Sequence, residues 1–346
     1  MASIGVIATA RSAGDTLAWS SNLLTPALRA AIDTLPTTIR HIAGYHFGWW
    51  DQHGQPTTTN GGKRIRPTLV LLAAEATGGD PTTALPAAVA IELIHNFSLL
   101  HDDVMDHDPT RRHRPTAWVI FGPGPAILTG DALLTLAYTT LLTSEHPAAH
   151  HSMHMLGTAV MDLISGQNTD LTFEERNDVT IAECIKMAHN KTAALLGCAC
   201  TIGALHGEGS RGQVEHFRTF GEHLGLAFQH IDDLLGIWGN PATTGKPTYS
   251  DLRNHKKTLP IVAALTANTP PGHELTTLYH NNQPLTDTNL AYAAQLIDTA
   301  GGRTWSQTQA HNLLTQALNE LKLAKPKTRP AAELGEVARL TVRRDH

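Results

Sequence analysis

Two short stretches hold paired aspartates in apolar surroundings, "LLHDDVMD" at 99–106 and "FQHIDDLLG" at 228–236. In the first, Asp102 and Asp106 stand at i and i+4, which on a helix brings their Cβ atoms to roughly 5–6 Å on one face. Two anions so placed repel unless a cation bridges them. Carboxylate oxygens with no cysteine or paired histidine beside them favour a hard ion such as Mg²⁺. Asp103 lies about 100° further round the helix and is placed to orient water or a second ion. A lone DDxxD is as readily a solvated acidic face. Here the preceding run "IELIHNFSLL" marks the helix as inward-facing, and a buried charge must be paired or must hold a metal. The second stretch has Asp232 and Asp233, but Gly236 stands where a third carboxylate would complete the pattern.

Basic residues cluster near both stretches: Lys63, Arg64 and Arg66 in "GGKRIRP", Arg111, Arg112 and Arg114 in "RRHRPT", and Lys246, Lys256 and Lys257 in "GKPTYSDLRNHKKTLP". Guanidinium groups suit phosphate oxygens by bidentate geometry and ammonium groups suit them as point charges. Acidic pairs with basic clusters imply a metal-bridged diphosphate. "GGKR" is not a P-loop, because Arg64 follows Lys63 where Ser or Thr is required.

These residues need a frame to hold them. Most long segments repeat apolar residues at helical spacing, as in 85–100, 126–142 and 290–300, and none alternates as a strand does. The expected class is all-α. Gly- and Pro-rich breaks at 51–62, 76–81, 122–125, 239–248 and 268–274 are too short to link domains. One helical domain over 23–346 follows, behind a loosely held segment over 1–22. With 346 residues, 41% of them hydrophobic, the chain can bury an enzyme-sized core. A net charge of -5 and scattered basic residues argue against a nucleic-acid surface. The three cysteines, Cys184, Cys198 and Cys200, suggest neither a disulfide framework nor a zinc site and fit a reducing cytoplasm. No leader and no run of about 18 apolar residues is evident, so no transmembrane segment is expected.

In order and approximate spacing, "GGKRIRP", "IELIHNFSLLHDDVMD", "RRHRPT", "GDALL", "GQNTDL", "NKTAALL", "FQHIDDLLG" and "GKPTYSDLRNHKKTLP" resemble the trans-isoprenyl diphosphate synthases, or polyprenyl synthetases. The resemblance runs from about Leu23 to the C-terminus. It implies an all-helical isoprenoid-synthase bundle around a central cavity, a homodimer, and condensation of isopentenyl diphosphate with an allylic diphosphate. By matching position, Lys63, Arg66, His95 and Arg112 would hold isopentenyl diphosphate. Arg111, Lys191, Thr192, Gln229, Lys246 and Lys257 would grip the allylic diphosphate or orient the second motif. Asp102, Asp106 and Asp232 would bind three Mg²⁺ ions, with Asp103 alongside, and the loop carrying Lys246 resembles a lid. Phe97 and Ser98, one to two turns before the first motif, would floor the product pocket. A single aromatic there resembles the geranylgeranyl-forming (C20) pattern, with farnesyl (C15) next.

Gly236 departs from the family pattern, and the expectation is that Asp232 does most of the ligation and Gly236→Asp changes turnover only modestly. Two alternatives share the family's features: a terpene cyclase on the same fold and a noncatalytic partner subunit. The intact Lys63, Arg66 and His95 set speaks against the cyclase, and the three retained first-motif carboxylates speak against the silent subunit. An HD-type phosphohydrolase built on His95, His101 and Asp102 leaves the basic clusters unexplained. His101 itself is expected to be a packed histidine. At the C-terminus Arg343 or Arg344 could fold back toward a diphosphate, though a solvated tail is the simpler expectation.

Overall fold

The computed structural model describes residues 9–57, 62–245, 247–279 and 285–343. Lys246 and Arg344 therefore lie outside the described residues. The fold is all-α. It opens with α1 (Ala13–Asp33), α2 (Thr37–His46), α3 (Ile65–Thr77) and, after a 3₁₀ turn, α4 (Leu85–Met105). A two-residue hairpin, β1 (Thr110–Arg111) and β2 (Arg114–Pro115), leads into α5 (Ala117–Phe121), α6 (Pro123–Leu142) and α7 (Ala149–Glu175). Next come α8 (Ile181–Ala188), a π-helical turn (His189–Ala193), α9 (Ala194–His206) and α10 (Arg211–Trp238). The short α11 (Pro241–Thr244), α12 (Ser250–Arg253) and α13 (Leu259–Leu265) precede α14 (Pro270–Tyr279), α15 (Asp287–Thr299), α16 (Gly302–Leu323) and α17 (Thr328–Val342).

The long helices begin where the sequence caps them. Ser210 accepts from the Gln213 amide while Gln213 reaches back, a reciprocal capping box that starts α10. Thr180 and Glu183 do the same for α8. α9 is buried on almost every side, as expected of a helix apolar all round. It packs between α3 and α10, while α4 lies along α6 and α10 along α16. The acidic ends of α4 and α10 are thus carried on helices whose other residues fill the core.

Two expectations change here. Residues 13–22 are the opening turns of α1, with Thr16 and Ser20 fully buried, and Arg11 is pinned to the buried Glu333 at 2.6 Å. The buried Thr16 hydroxyl bonds backward into the helix, to Ser12 O at 2.8 Å. By length and composition, residues 81–105 and α6 are each apolar enough to cross a membrane, although neither contains an uninterrupted apolar run. The first of these is a core helix, 67% buried in its most apolar window, whereas α6 is only 33% buried there.

Candidate active site

Asp102 and Asp103 occupy the last turn of α4 and Asp106 caps it. Carboxylates at a helix C-terminus oppose the helix dipole, so cations must hold them. Lys191 Nζ lies 2.7 Å from Asp170 Oδ2 and 3.4 Å from Asp102 Oδ1. Lys256 Nζ reaches Asp106 Oδ1 at 2.9 Å, Asp170 Oδ2 at 3.3 Å and Glu174 Oε1 at 2.7 Å. Arg111 donates from Nε to Asp103 Oδ1 at 2.6 Å and lies 3.6 Å from Asp102. Three cations are interleaved with the carboxylates of Asp102, Asp103, Asp106, Asp170 and Glu174.

Burial sets the titration of this cluster. It pushes the Asp103 carboxyl up to about 6 against the pull of Arg111, and together with the Asp102 charge it raises Asp106. For Asp170 burial is outweighed by Lys191 and Lys256, which hold the carboxyl below its ordinary range. Both lysines are raised despite their burial, Lys191 chiefly by Asp102 and Asp170 and Lys256 chiefly by Asp170 and Asp106. The lysines are therefore firmly cationic.

Lys191 is aimed by the π-helical turn, an irregularity that often marks functional sites. A side chain at Gly166 of α7 could not coexist with that turn, since its Cβ would lie 2.3 Å from the Lys191 backbone nitrogen. From the same turn Thr192 donates to Gln229 Oε1 at 2.5 Å, Gln229 donates to Asp233 Oδ1 at 2.6 Å, and Asp233 Oδ2 accepts the Leu259 amide at 2.9 Å. This chain ties the first acidic cluster to the second. Asp233 is buried and its carboxyl is pushed well up by burial, whereas Asp232 is exposed. The sequence pair thus divides into one inward carboxylate and one outward carboxylate.

At Gly236 a Cβ would lie 2.1 Å from Asp251 Oδ2 and 2.4 Å from its Cγ. The Asp251 carboxylate thus lies against Gly236, where a side chain at 236 would begin, and Ser250 Oγ donates to the Gly236 carbonyl at 3.1 Å to hold the two segments together. A side chain at 236 would require the Asp251 carboxylate, the end of a flexible side chain, to swing aside.

The hairpin separates two adjacent arginines. Arg112 and His113 both have positive φ, 51° and 61°, the turn that best fits a two-residue hairpin but that non-glycine residues adopt at a cost of roughly 1–3 kcal/mol each. Arg111 goes to the aspartates, while the Arg112 guanidinium lies against the backbone of Gly62. Nearby, Arg66 Nη1 meets His95 Nε2 at 3.3 Å. Lys63 is exposed at the entrance to α3. Arg64 instead binds Ser21 at 3.0 Å and Thr25 at 2.6 Å, anchoring α1.

Lys257 requires a correction. Its ammonium is buried, donates to the His255 carbonyl at 3.3 Å and lies over the Tyr279 ring, so it is Lys256 that joins the acidic cluster. Phe97 packs edge-on against His101 with ring centroids 5.0 Å apart, and His101 is held by the Ile127 carbonyl at 3.0 Å. Ser98, at i−4, shares the Asp102 face. Sequence reasoning missed Asp170, Glu174 and Asp251. Asp170 and Glu174 had a signal, an i, i+4 acidic pair beginning in "GQNTDL".

The donor set suits Mg²⁺: it is all carboxylate oxygen, and Asp103 Oδ2 is buried without a hydrogen-bond partner. Among the described residues no three such groups converge into a closed cage, and Mg²⁺ is ordinarily held by one or two carboxylates plus substrate phosphates.

The polyprenyl synthetase family profile matches residues 48–297. A (2E,6E)-farnesyl diphosphate synthase of Mycobacterium tuberculosis is 45% identical over 331 residues, 95% of this chain and 92% of that protein. A geranylgeranyl diphosphate synthase of the same organism is 41% identical over 86% of this chain and 85% of its own length. The crystal structure of a polyprenyl synthetase from Streptomyces coelicolor superposes with a TM-score of 0.90 at 43% identity, covering 95% of this chain and 99% of that one. With its acidic ends and basic clusters disposed as above on the same fold, the chain belongs to the polyprenyl synthetase family.

Proposed function

We propose that this prenyltransferase joins isopentenyl diphosphate head to tail to an allylic diphosphate, giving a short-chain trans-prenyl diphosphate. The observation that carries the reading is the hairpin's division of Arg111 from Arg112. It provides two cationic places, one among carboxylates and one at Arg66 and His95, as two diphosphates require.

At the first place Asp102, Asp106 and the outward Asp232 would hold Mg²⁺, three ions by family likeness. Bound there, Mg²⁺ would neutralise charge developing on the leaving diphosphate. Lys191, Lys256 and Arg111 act in the same sense as fixed donors that need no reorganisation when the bond breaks. At the second place Arg66, His95, Arg112 and Lys63 fix isopentenyl diphosphate so that its double bond faces the allylic carbon. The allylic C–O bond breaks first to leave a carbocation, the double bond of isopentenyl diphosphate then attacks it to form the new carbon–carbon bond, and the proton lost from the added unit passes to the departing diphosphate. The apolar walls of α4, α6 and α9 exclude the water that would quench the cation.

For chain length the reading is C20. Its support is the single aromatic, Phe97, with the small Ser98 beneath Asp102; identities of 45% and 41% to farnesyl and geranylgeranyl synthases are too close to choose. A homodimer is supported by an apolar exposed face, with Ile127, Leu128 and Leu142 on α6 and Met161 and Ile164 on α7 each at least 40% exposed. Mass spectrometry of products made with Mg²⁺, isopentenyl diphosphate and farnesyl diphosphate tests the reading. A linear C20 diphosphate is expected; a cyclic hydrocarbon would overturn it, and arrest at C15 from shorter starters would overturn the chain length alone.

A further inference from the structure

Lys191 and Thr192 leave one π turn in different directions, and the room that turn needs is made by its neighbours. Residues 181–206 would form one continuous helix but for the turn over His189–Ala193. A π turn closes its hydrogen bonds one residue later than an α-helix and is wider for it, so helices packed on both sides of it must recede. The turn lies between α7 and α10, and on each of them a glycine stands against it. A Cβ on Gly166 of α7 would lie 2.3 Å from the Lys191 backbone nitrogen and 2.8 Å from its Cα; one on Gly225 of α10 would lie 2.5 Å from Ala193 Cα. These are backbone atoms, which cannot rotate aside as the end of a side chain can. Glycine is disfavoured inside helices, so neither residue serves helix propensity.

One turn after each glycine, the same helix supplies the partner of a side chain from the π turn. On α7, Asp170 stands at i+4 from Gly166, and its Oδ2 accepts from Lys191 Nζ at 2.7 Å. On α10, Gln229 stands at i+4 from Gly225, and its Oε1 accepts from Thr192 Oγ1 at 2.5 Å. Residues at i and i+4 share a helix face, so each helix presents a gap for the backbone of the turn and a polar group for its side chain. The two pairings send Lys191 to the carboxylates of Asp170 and Asp102 and Thr192 toward the second acidic segment, through Gln229 and Asp233.

We propose that Gly166 and Gly225 are positioning residues for the reaction: together they form the slot that seats the π turn and sets the reach of the Lys191 ammonium. The inference rests on the reading of Lys191 as a fixed donor to the departing diphosphate. A methyl group at either glycine pushes the turn out of the slot and carries Lys191 with it. A displacement of about 1 Å in a group that acts on the reacting atoms costs up to on the order of a hundredfold in rate. Arg66, His95 and Arg112 lie on other elements, so the hold on isopentenyl diphosphate is unaffected.

The test is steady-state kinetics of Gly225→Ala and Gly166→Ala, each alone and combined with Lys191→Met, with Mg²⁺, isopentenyl diphosphate and farnesyl diphosphate. Each glycine variant alone is expected to lower kcat at least about tenfold, with KM for isopentenyl diphosphate within about threefold of wild type. In the Lys191→Met background the same substitution is expected to cost less than about threefold, because residues that act as a unit are not additive. An equal fractional loss in both backgrounds, a KM for isopentenyl diphosphate that rises as kcat falls, or an unchanged kcat would mean packing only and would overturn the proposal. If neither glycine variant folds, Thr192→Val, which removes the bond to Gln229 without adding bulk to the slot, takes their place in the same cycle. A kcat loss that disappears in the Lys191→Met background then supports the proposal, and an unchanged kcat or an equal loss in both backgrounds overturns it. Failure of the underlying reading is seen separately: Lys191→Met alone would then turn over as wild type does, and the proposal falls with it.

Discussion

Gly236 is a condition for Asp251. From the sequence alone the second motif lacks a carboxylate; in the folded chain the Asp251 carboxylate stands where a side chain at 236 would begin. Fifteen positions separate the two residues, 251 less 236, across an irregular segment without periodicity, so no spacing rule pointed from one to the other. Because only the end of the flexible Asp251 side chain lies there, Gly236→Asp is expected to change kcat/KM by less than about tenfold, and the exchange Gly236→Asp with Asp251→Gly to stay close to wild type. Steady-state kinetics of the single and double variants decide it, and additive losses would show that the two carboxylates are not equivalent. The paired aspartates were legible because they sit on regular helix, whereas Lys191, Thr192 and Gln229 came only from the family resemblance, Lys191 and Thr192 lying in an irregular turn that no helical repeat describes. Lys256 and Lys257 were confused because they fall between α12 and α13, where adjacent side chains diverge and no helical repeat says which turns inward.

At the scale of elements, helical periodicity was a reliable guide wherever a helix buries one face, and weakest where burial is nearly complete, as in α9, or where polar residues are buried, as in α1. The α10–α16 packing illustrates the second difficulty. His230, in the middle of the second motif, is buried, its Nδ1 paired with Ser306 Oγ at 2.7 Å, and burial lowers it to about 4. A base depressed in the folded state keeps its full contribution above its unfolded value near 6.5 and loses it as pH falls from there toward 4, because the unfolded chain takes up the proton first. At pH 5 the linkage is worth about 2 kcal/mol. Melting curves from pH 7.5 to 5 should show wild type losing ground to His230→Gln by that order. Parallel curves would mean that His230 is protonated in place.

For the whole molecule, the fold class and the order of motifs were evident from the sequence, while the apolar exposure of α6 and α7 emerges only once the helices are packed. Sedimentation should give a dimer, and Leu128→Glu with Met161→Glu a monomer; an unchanged dimer would place the interface elsewhere. The central claim is that two diphosphates meet in one cavity and that Asp102 belongs to the machinery that breaks one of them. Following isopentenyl diphosphate consumption and inorganic diphosphate release together, with an allylic diphosphate and Mg²⁺, tests it most directly. One diphosphate is expected to be released per isopentenyl unit consumed, with no measurable turnover in Asp102→Ala. Release of diphosphate without consumption of isopentenyl diphosphate, or full turnover in Asp102→Ala, would contradict it.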